Sequence, residues 1–182
     1  MGRTRPQDDP GRSEIADESG VLVVLVVDDD PVVRAFVARA LTIAGMDVAV
    51  AADGREALRL VADDRVRPAV LVTDIEMPAM SGVELAARLL AFRPAIRVVM
   101  MTGDVARAEA ARRHPAIVDA VLMKPMRMDS IVRTIRAVAA ADQPSSGRDH
   151  ERERAVRIHA RSSAPSGPTP PLPQAGDGTD DE

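Results

Sequence analysis

Five short apolar runs alternate with five segments of helical periodicity along the chain, and this alternation limits the fold more than any other feature. The runs are rich in Val and bounded by turn residues, which is typical of strands buried on both faces of a parallel sheet. The segments between them place apolar residues three and four positions apart, as helices that pack on such a sheet do. The sequence therefore predicts an α/β fold with a doubly wound, five-stranded parallel sheet. The predicted strands are residues 21–27, 47–51, 69–73, 96–101 and 118–123.

Capping residues mark the starts of three predicted helices. Asp30 stands directly before a proline, which is tolerated at the first helical position, so this acid is predicted to be an N-cap. Asp53 with Glu56, and Ser81 with Glu84, have the spacing of a capping box. These local signals separate the turns from the helices that follow them.

Polar side chains follow four of the five predicted strands. Asp28 and Asp29 follow the first strand, Asp74 the third, Thr102 the fourth and Lys124 the fifth. In open α/β sheets, ligands bind at the carboxyl ends of the strands. If the strand order is 2-1-3-4-5, as in flavodoxin-like three-layer sandwiches, the first and third strands are neighbours and their acids converge.

Ionised carboxylates that converge need a cation. Two of them about 4 Å apart repel each other by about 4 kcal/mol at an effective dielectric constant of about 20. Oxygen ligands without His or Cys favour a hard ion, so Mg²⁺ is the predicted cofactor. With a lysine amine and a threonine hydroxyl nearby, the set indicates a phosphoryl site in which Asp74 is the acceptor. A single aspartate after a strand more commonly caps a helix, so the inference depends on the whole set.

The segments VVDDDP, LVTDIEMPAMSG, VVMMTGD and LMKP, in this order and spacing, resemble the receiver domain of two-component response regulators. The resemblance covers about residues 21–141 and suggests a stand-alone receiver similar to the chemotaxis response regulators. It implies that Asp74 takes a phosphoryl group from the phosphohistidine of a sensor histidine kinase. By the same resemblance, Lys124 would contact the phosphoryl oxygens, and Thr102 would turn inward to bond them.

The resemblance also implies a set of Mg²⁺ ligands. Asp29 and Asp74 would bind the ion directly, and the backbone carbonyl of Glu76 would complete the protein ligands. Asp28 would hold a coordinated water. The Glu76 side chain puts a further acid near the phosphoryl group, where it could change the phosphoryl lifetime in a direction that the sequence leaves open.

Val121 and Met126 depart from the family pattern. The family commonly has an aromatic residue where Val121 stands, so the rotation of a buried aromatic ring cannot report phosphorylation in this chain. Met126 stands where Phe is frequent, which softens the same output face. The resemblance also implies that the peptide bond between Lys124 and Pro125 is cis.

One folded domain is predicted between two disordered segments. Residues 1–20 are polar, residues 142–182 are rich in Pro, Ser, Gly and Arg, and neither segment has the periodicity of a packed element. With residues 21–141 as the receiver, no length remains for an effector domain, so a stand-alone response regulator is expected. Its partners would be a sensor histidine kinase or phosphotransfer protein, and an unknown downstream protein.

Composition argues against other classes of partner. The net charge is −4, and Phe36 and Phe92 are the only aromatic residues, so direct binding to DNA is not expected. No apolar run is long enough to span a membrane, and the lack of cysteine fits a cytoplasmic protein. Catalysis is expected to be limited to the chain's own phosphorylation and dephosphorylation.

Two alternatives compete with a working receiver. Asp28, Asp30 and Val32 fit the DxDxV opening of haloacid-dehalogenase-like phosphohydrolases, in which Asp28 would be the nucleophile. That alternative needs a further acidic pair after Lys124, and it leaves the segment DIEMPAMSG unexplained. A degenerate receiver that serves only as a docking module is disfavoured because the site residues are all present.

Overall fold

Strands and helices alternate along residues 20–141, the part of the chain that this computed structural model describes. The predicted tail, and the predicted leader apart from residue 20, lie outside the described residues. The elements are β1 (Val23–Val27), α1 (Pro31–Ile43), β2 (Asp47–Ala51), α2 (Gly54–Ala62), β3 (Val70–Asp74), α3 (Gly82–Phe92), β4 (Arg97–Thr102), α4 (Val105–Arg112), β5 (Ala120–Met123) and α5 (Met128–Ala140).

The five strands form one parallel sheet in the order β2-β1-β3-β4-β5, which confirms the predicted fold. Strands β1 and β3 are neighbours, with Val27 opposite Thr73, so their carboxyl ends lie side by side. Strand β4 lies on the other side of β3, with Asp74 opposite Met101. The polar residues that follow these strands therefore share one edge of the sheet.

Alternate residues of each central strand face opposite layers of helices. In β1, Val24 and Val26 belong to the core shared with α1 and α5, while Leu25 and Val27 belong to the core shared with α2, α3 and α4. All four side chains are fully buried. Burial on both faces explains why the strands read as continuous apolar runs rather than as alternating patterns.

The structure confirms the predicted N-caps. Asp30 Oδ1 accepts a hydrogen bond from the backbone N–H of Val32 at 2.8 Å, and Asp53 Oδ1 accepts one from Glu56 at 2.8 Å. Ser81 Oγ accepts one from the backbone N–H of the residue three positions later at 3.2 Å. Each bond satisfies an amide that has no partner inside its helix.

The two capping boxes differ in the return bond. The Glu56 carboxylate accepts a hydrogen bond at 2.7 Å from the backbone N–H of Ala52, just before the cap. The Glu84 carboxylate instead pairs with Arg88 at 2.6 Å along α3, so the Ser81 box is only half formed. The salt bridge four residues along the helix competes for the same carboxylate.

Four of the five strands begin later than the sequence predicted: β3 (from Val70) and β4 (from Arg97) begin one residue later, and β1 and β5 begin two residues later. Strand β1 begins at Val23 rather than at residue 21, and β5 begins at Ala120 rather than at residue 118. Val118 is buried, but its backbone N–H bonds to the carbonyl of His114 in the preceding turn. Its apolar side chain therefore marks packing in the core and not pairing in the sheet.

A buried ion pair joins β4 to β5 at the amino edge of the sheet. Arg97 Nη1 lies 3.1 Å from Asp119 Oδ1, and the two side chains are 1% and 8% exposed. The other Asp119 oxygen accepts a hydrogen bond from the backbone N–H of Val98 at 2.8 Å. Arg97 Nη2 also donates to the carbonyl of Ala141, which fixes the end of α5. The sequence analysis did not predict this pair.

Candidate functional site

Three aspartates meet where β1 and β3 end. Asp28 and Asp29 follow β1 directly, and Asp74 is the last residue of β3. Carboxylate oxygens from the three side chains all lie within 4.8 Å of one another. The structure thus brings together the acids that the sequence predicted would converge, because strands β1 and β3 are neighbours in the sheet.

Lys124, directly after β5, reaches across the sheet edge to two of these acids. Its Nζ lies 2.9 Å from Asp28 Oδ2 and 3.2 Å from Asp74 Oδ1. The Asp74 side chain is 14% exposed and the Lys124 side chain 22% exposed, so solvent screens these contacts only in part. The peptide bond between Lys124 and Pro125 is cis, as the resemblance implied.

Asp28 is the most enclosed of the three acids, and the protein bonds both of its oxygens. Oδ1 accepts a hydrogen bond from the backbone N–H of Asp30 at 2.9 Å, while Oδ2 accepts the bond from Lys124. Asp28 is fully buried, whereas Asp29 is exposed. A buried carboxylate with both oxygens bonded keeps one orientation, and an exposed neighbour is accessible to an ion from solvent.

Burial raises the pKa of the Asp74 carboxyl, and the charge of Asp28 adds to this effect, while Lys124 opposes it. For Lys124, burial by itself acts to lower the pKa, but the hydrogen bond and charge of Asp28, with the charge of Asp74, outweigh burial and raise it. Lys124 therefore stays an ammonium ion at neutral pH. The site combines an acid whose charged form is costly with a fixed positive charge beside it.

Thr102 ends β4 on the other side of Asp74. Its side chain is buried, and Oγ1 accepts a hydrogen bond from the backbone N–H of Asp104 at 3.0 Å. In this bond the hydroxyl oxygen is the acceptor, so the hydroxyl hydrogen is not used in it. The hydroxyl can therefore still donate to an anionic group.

Gly82 allows the first turn of α3 to approach the backbone of Asp74. A Cβ at this position would lie 2.0 Å from the Asp74 carbonyl oxygen and 3.0 Å from Thr73 Oγ1. The Gly82 N–H donates to the carbonyl of Ile75 at 3.0 Å, and the Ile75 N–H donates to Asp74 Oδ1 at 3.0 Å. This approach of Gly82 was not predicted, because a contact between two segments of backbone has no local signal in the sequence.

The Glu76 side chain pairs with Arg107, a residue that was not predicted to lie near the site. Its Oε1 lies 2.6 Å from Arg107 Nη2, so the loop after β3 is paired with α4. Arg107 Nε also lies 3.8 Å from Asp104 Oδ2. An arginine in an Ala-rich helix gives no signal of its own, since the pairing depends on β3 and β4 being neighbours.

The donor set at the sheet edge fits a hard divalent cation. Asp28, Asp29 and Asp74 offer only oxygen atoms, and their charges exceed the single positive charge of Lys124. Mg²⁺ prefers oxygen ligands and few protein carboxylates, as here. The carbonyl of Glu76, which the resemblance implied as the third direct protein ligand, belongs to the loop that follows β3.

Comparison with known proteins identifies the family. The family model for the response regulator receiver domain matches residues 24–136. The chain belongs to the response regulator receiver family.

Among relatives of this receiver, Response regulator MprA of Mycolicibacterium vanbaalenii is 34% identical over 124 residues, which are 68% of this chain and 53% of that protein. The MprA of Mycobacterium leprae is 34% identical over 121 residues, 66% of this chain and 52% of that protein. The receiver chain thus spans about half the length of the curated relatives it matches.

Solved receiver structures share the fold. Chemotaxis response regulator CheY4 of Vibrio cholerae is 30% identical with a TM-score of 0.58, and the match covers 65% of this chain and 98% of that chain. The receiver domain of NarL from Mycobacterium tuberculosis is 28% identical with a TM-score of 0.58, covering 67% of this chain and 98% of that chain. These similarities support the receiver interpretation of the sheet and its acidic edge.

The structure does not fit the haloacid-dehalogenase-like phosphohydrolase that the sequence left as an alternative. In this fold Asp28 is fully buried and bonded on both oxygens, while Asp30 caps α1 and Val32 is exposed. After Lys124, the described residues contain α5, where Asp129 is exposed and pairs with Arg127.

Among residues 20–141, no helix has the length and apolar character needed to cross a membrane.

Proposed function

We propose that this receiver is phosphorylated on Asp74 in a Mg²⁺-dependent reaction, with a sensor histidine kinase or phosphotransfer protein as the donor. The observation that carries the proposal is the position of Asp74 at the end of β3, between the acids that follow β1 and the ammonium of Lys124 at 3.2 Å. Asp28 shares both contacts, but it is fully buried with both oxygens bonded, whereas the Asp74 side chain is 14% exposed and can be reached by a donor. The anionic oxygens of a phosphoryl group on Asp74 would be stabilised by the ammonium and by a bound cation.

In the proposed reaction, a carboxylate oxygen of Asp74 attacks the phosphorus of the donor phosphohistidine. A phosphorus–oxygen bond forms, the phosphorus–nitrogen bond breaks, and the imidazole leaves with the electron pair. The ion pair with Lys124 Nζ at 3.2 Å and the hydrogen bond from the backbone N–H of Ile75 both engage Oδ1 of Asp74 and restrain that oxygen. Such fixed positioning favours in-line attack on the phosphorus.

The proposed Mg²⁺ ligands are Asp29, Asp74 and the carbonyl of Glu76, with Asp28 acting through a water. When bound, the ion would offset the repulsion between the acidic site and the phosphoryl oxygens. Lys124 would bond a phosphoryl oxygen directly, and Thr102 would donate its hydroxyl hydrogen to another. Because the Thr102 oxygen also accepts the Asp104 N–H, movement of Thr102 would shift the start of α4.

We propose that phosphorylation acts on the face formed by α4, β5 and α5. Val121 lies partly buried in this region and packs against the core beneath α2, α3 and α4, while Met126 packs against the core of α1 and α5. The output would be contact with a downstream protein or onward phosphotransfer in the cytoplasm, without direct DNA binding. Because the MprA relatives are about twice as long as the matched region, output through a further domain is the competing outcome.

Intact mass spectrometry after incubation with Mg²⁺ and acetyl phosphate tests the acceptor. The parent should gain one phosphoryl group, and Asp74→Asn should gain none, nor should the parent without Mg²⁺. Asp129→Asn is the matched control, because this acid is exposed on α5 and does not belong to the acidic cluster. Retention of the gain in Asp74→Asn, with loss in Asp28→Asn, would assign the nucleophile to Asp28. No gain in the parent would favour a docking module.

A further inference from the structure

Arg107 joins two segments that lead away from the phosphoacceptor site. Its Nη2 lies 2.6 Å from Oε1 of Glu76, which stands two residues after Asp74. Arg107 itself lies in the first turn of α4, after the strand that ends on Thr102. The two side chains are 48% and 53% exposed, so the pair is open to solvent.

A second set of contacts continues from Arg107 to Thr102. The backbone N–H of Arg107 donates to Asp104 Oδ1 at 3.0 Å, and its Nε lies 3.8 Å from Asp104 Oδ2. The backbone N–H of Asp104 donates to Thr102 Oγ1 at 3.0 Å. Contacts therefore run without a break from the Thr102 hydroxyl to Glu76, around the edge of the site that faces α4.

We propose that Arg107 is a positioning residue that prolongs the phosphorylated state of Asp74 by neutralising Glu76 and holding its carboxylate toward α4. The proposal rests on the phosphorylation of Asp74 that is proposed above. A phosphoryl group brings a charge of about −1.5 to −2 to a sheet edge where three aspartates already meet. A Glu76 carboxylate without its arginine would add a further negative charge beside that group.

The reaction that Arg107 would slow is hydrolysis of the aspartyl phosphate. The oxygen of a water attacks phosphorus, the bond between phosphorus and the Asp74 oxygen breaks, and Asp74 keeps the electron pair. Inorganic phosphate leaves, and the water's proton passes to solvent or to a nearby base. A released Glu76 carboxylate could orient that water and accept its proton. Pairing with Arg107 removes that base from the reaction.

The test is the first-order loss of the phosphoryl group, followed by intact mass after the phosphodonor is removed. Arg107→Gln should lose it about two- to fivefold faster than the parent, the range expected for an exposed ion pair. Arg107→Lys should resemble the parent because it keeps the charge. The double variant Glu76→Gln with Arg107→Gln should return toward the parent rate, since the unpaired acid is gone.

Arg112→Gln is the matched control, because it removes an exposed positive charge from the same helix and should leave the rate unchanged. Higher salt should shrink the difference between the parent and Arg107→Gln, which loss of helix stability alone would not do. Equal rates in the parent and Arg107→Gln would overturn the proposal. So would an Arg107→Lys variant or a double variant as fast as Arg107→Gln. If the parent never gains a phosphoryl group, the proposed function itself fails.

Discussion

Replacing Arg97 by Met should cost the receiver a large part of its stability, although this residue lies at the opposite edge of the sheet from the phosphoacceptor. Met keeps an unbranched apolar stem but removes the guanidinium that lies 3.1 Å from Asp119 and donates to the carbonyl of Ala141. Both side chains of the pair are almost fully buried. The variant therefore leaves the Asp119 carboxylate buried without the Arg97 charge.

The expected loss is about 3–5 kcal/mol in the free energy of unfolding, the usual cost of removing one partner of a buried ion pair. A small domain is stable by only about 5–15 kcal/mol, so the loss is a large fraction of the total. For a domain of this size it corresponds to about 10–20 °C in melting temperature. The hydrogen bond from the backbone N–H of Val98 to Asp119 at 2.8 Å offsets part of the cost but supplies no full positive charge.

Urea unfolding followed by far-ultraviolet circular dichroism measures the loss, since the chain has no Trp or Tyr for fluorescence. Arg88→Met is the matched control, because its pair with Glu84 is exposed on α3 and should contribute less than about 0.5 kcal/mol. The double variant Arg97→Met with Asp119→Asn should be more stable than the sum of the single losses predicts, because the buried Asp119 charge is removed together with that of Arg97. If Arg97→Met costs no more than the Arg88 control, the reasoning from burial is wrong.

Two further predictions concern the backbone near the site and the second helix. Gly82→Ala should lower the free energy of unfolding by about 1–3 kcal/mol and slow phosphorylation by acetyl phosphate, because its Cβ would lie 2.0 Å from the Asp74 carbonyl oxygen. Thermal unfolding measures the first effect and intact mass spectrometry the second. A variant that is as stable as the parent and is phosphorylated as fast would contradict the close approach. Asp53→Ala should cost about 1 kcal/mol by removing the N-cap of α2. Since the hydrogen bond from the backbone N–H of Glu56 lowers the pKa of Asp53, the charge-dependent part of this contribution is fully present above pH 3.8 and is lost as the pH falls below that value. A parent–variant difference that stays constant into acid would refute it.

Local patterns determined the elements of this receiver and the residue types at its sheet edge. Strand β2 lies at Asp47–Ala51 as predicted, and Asp30 and Asp53 cap their helices as predicted. Such features depend on residues a few positions apart, so the sequence carries them directly. The continuous apolar runs also indicated a sheet covered on both faces, and a polar residue at the end of a run marks the carboxyl edge.

The tertiary structure decided which of these residues meet. The convergence of the acids depended on the strand order 2-1-3-4-5, which the sequence analysis took as a condition and the sheet confirmed. The Arg97–Asp119 pair, the Glu76–Arg107 pair and the approach of Gly82 to Asp74 were not predicted. Each joins segments that are separated along the chain, and no local pattern records such a contact. The two ion pairs follow from the pairing of β3 with β4 and of β4 with β5, because a parallel sheet brings chain segments together by strand order rather than by sequence distance. Gly82 approaches Asp74 because the loop after β3 folds back on the end of that strand.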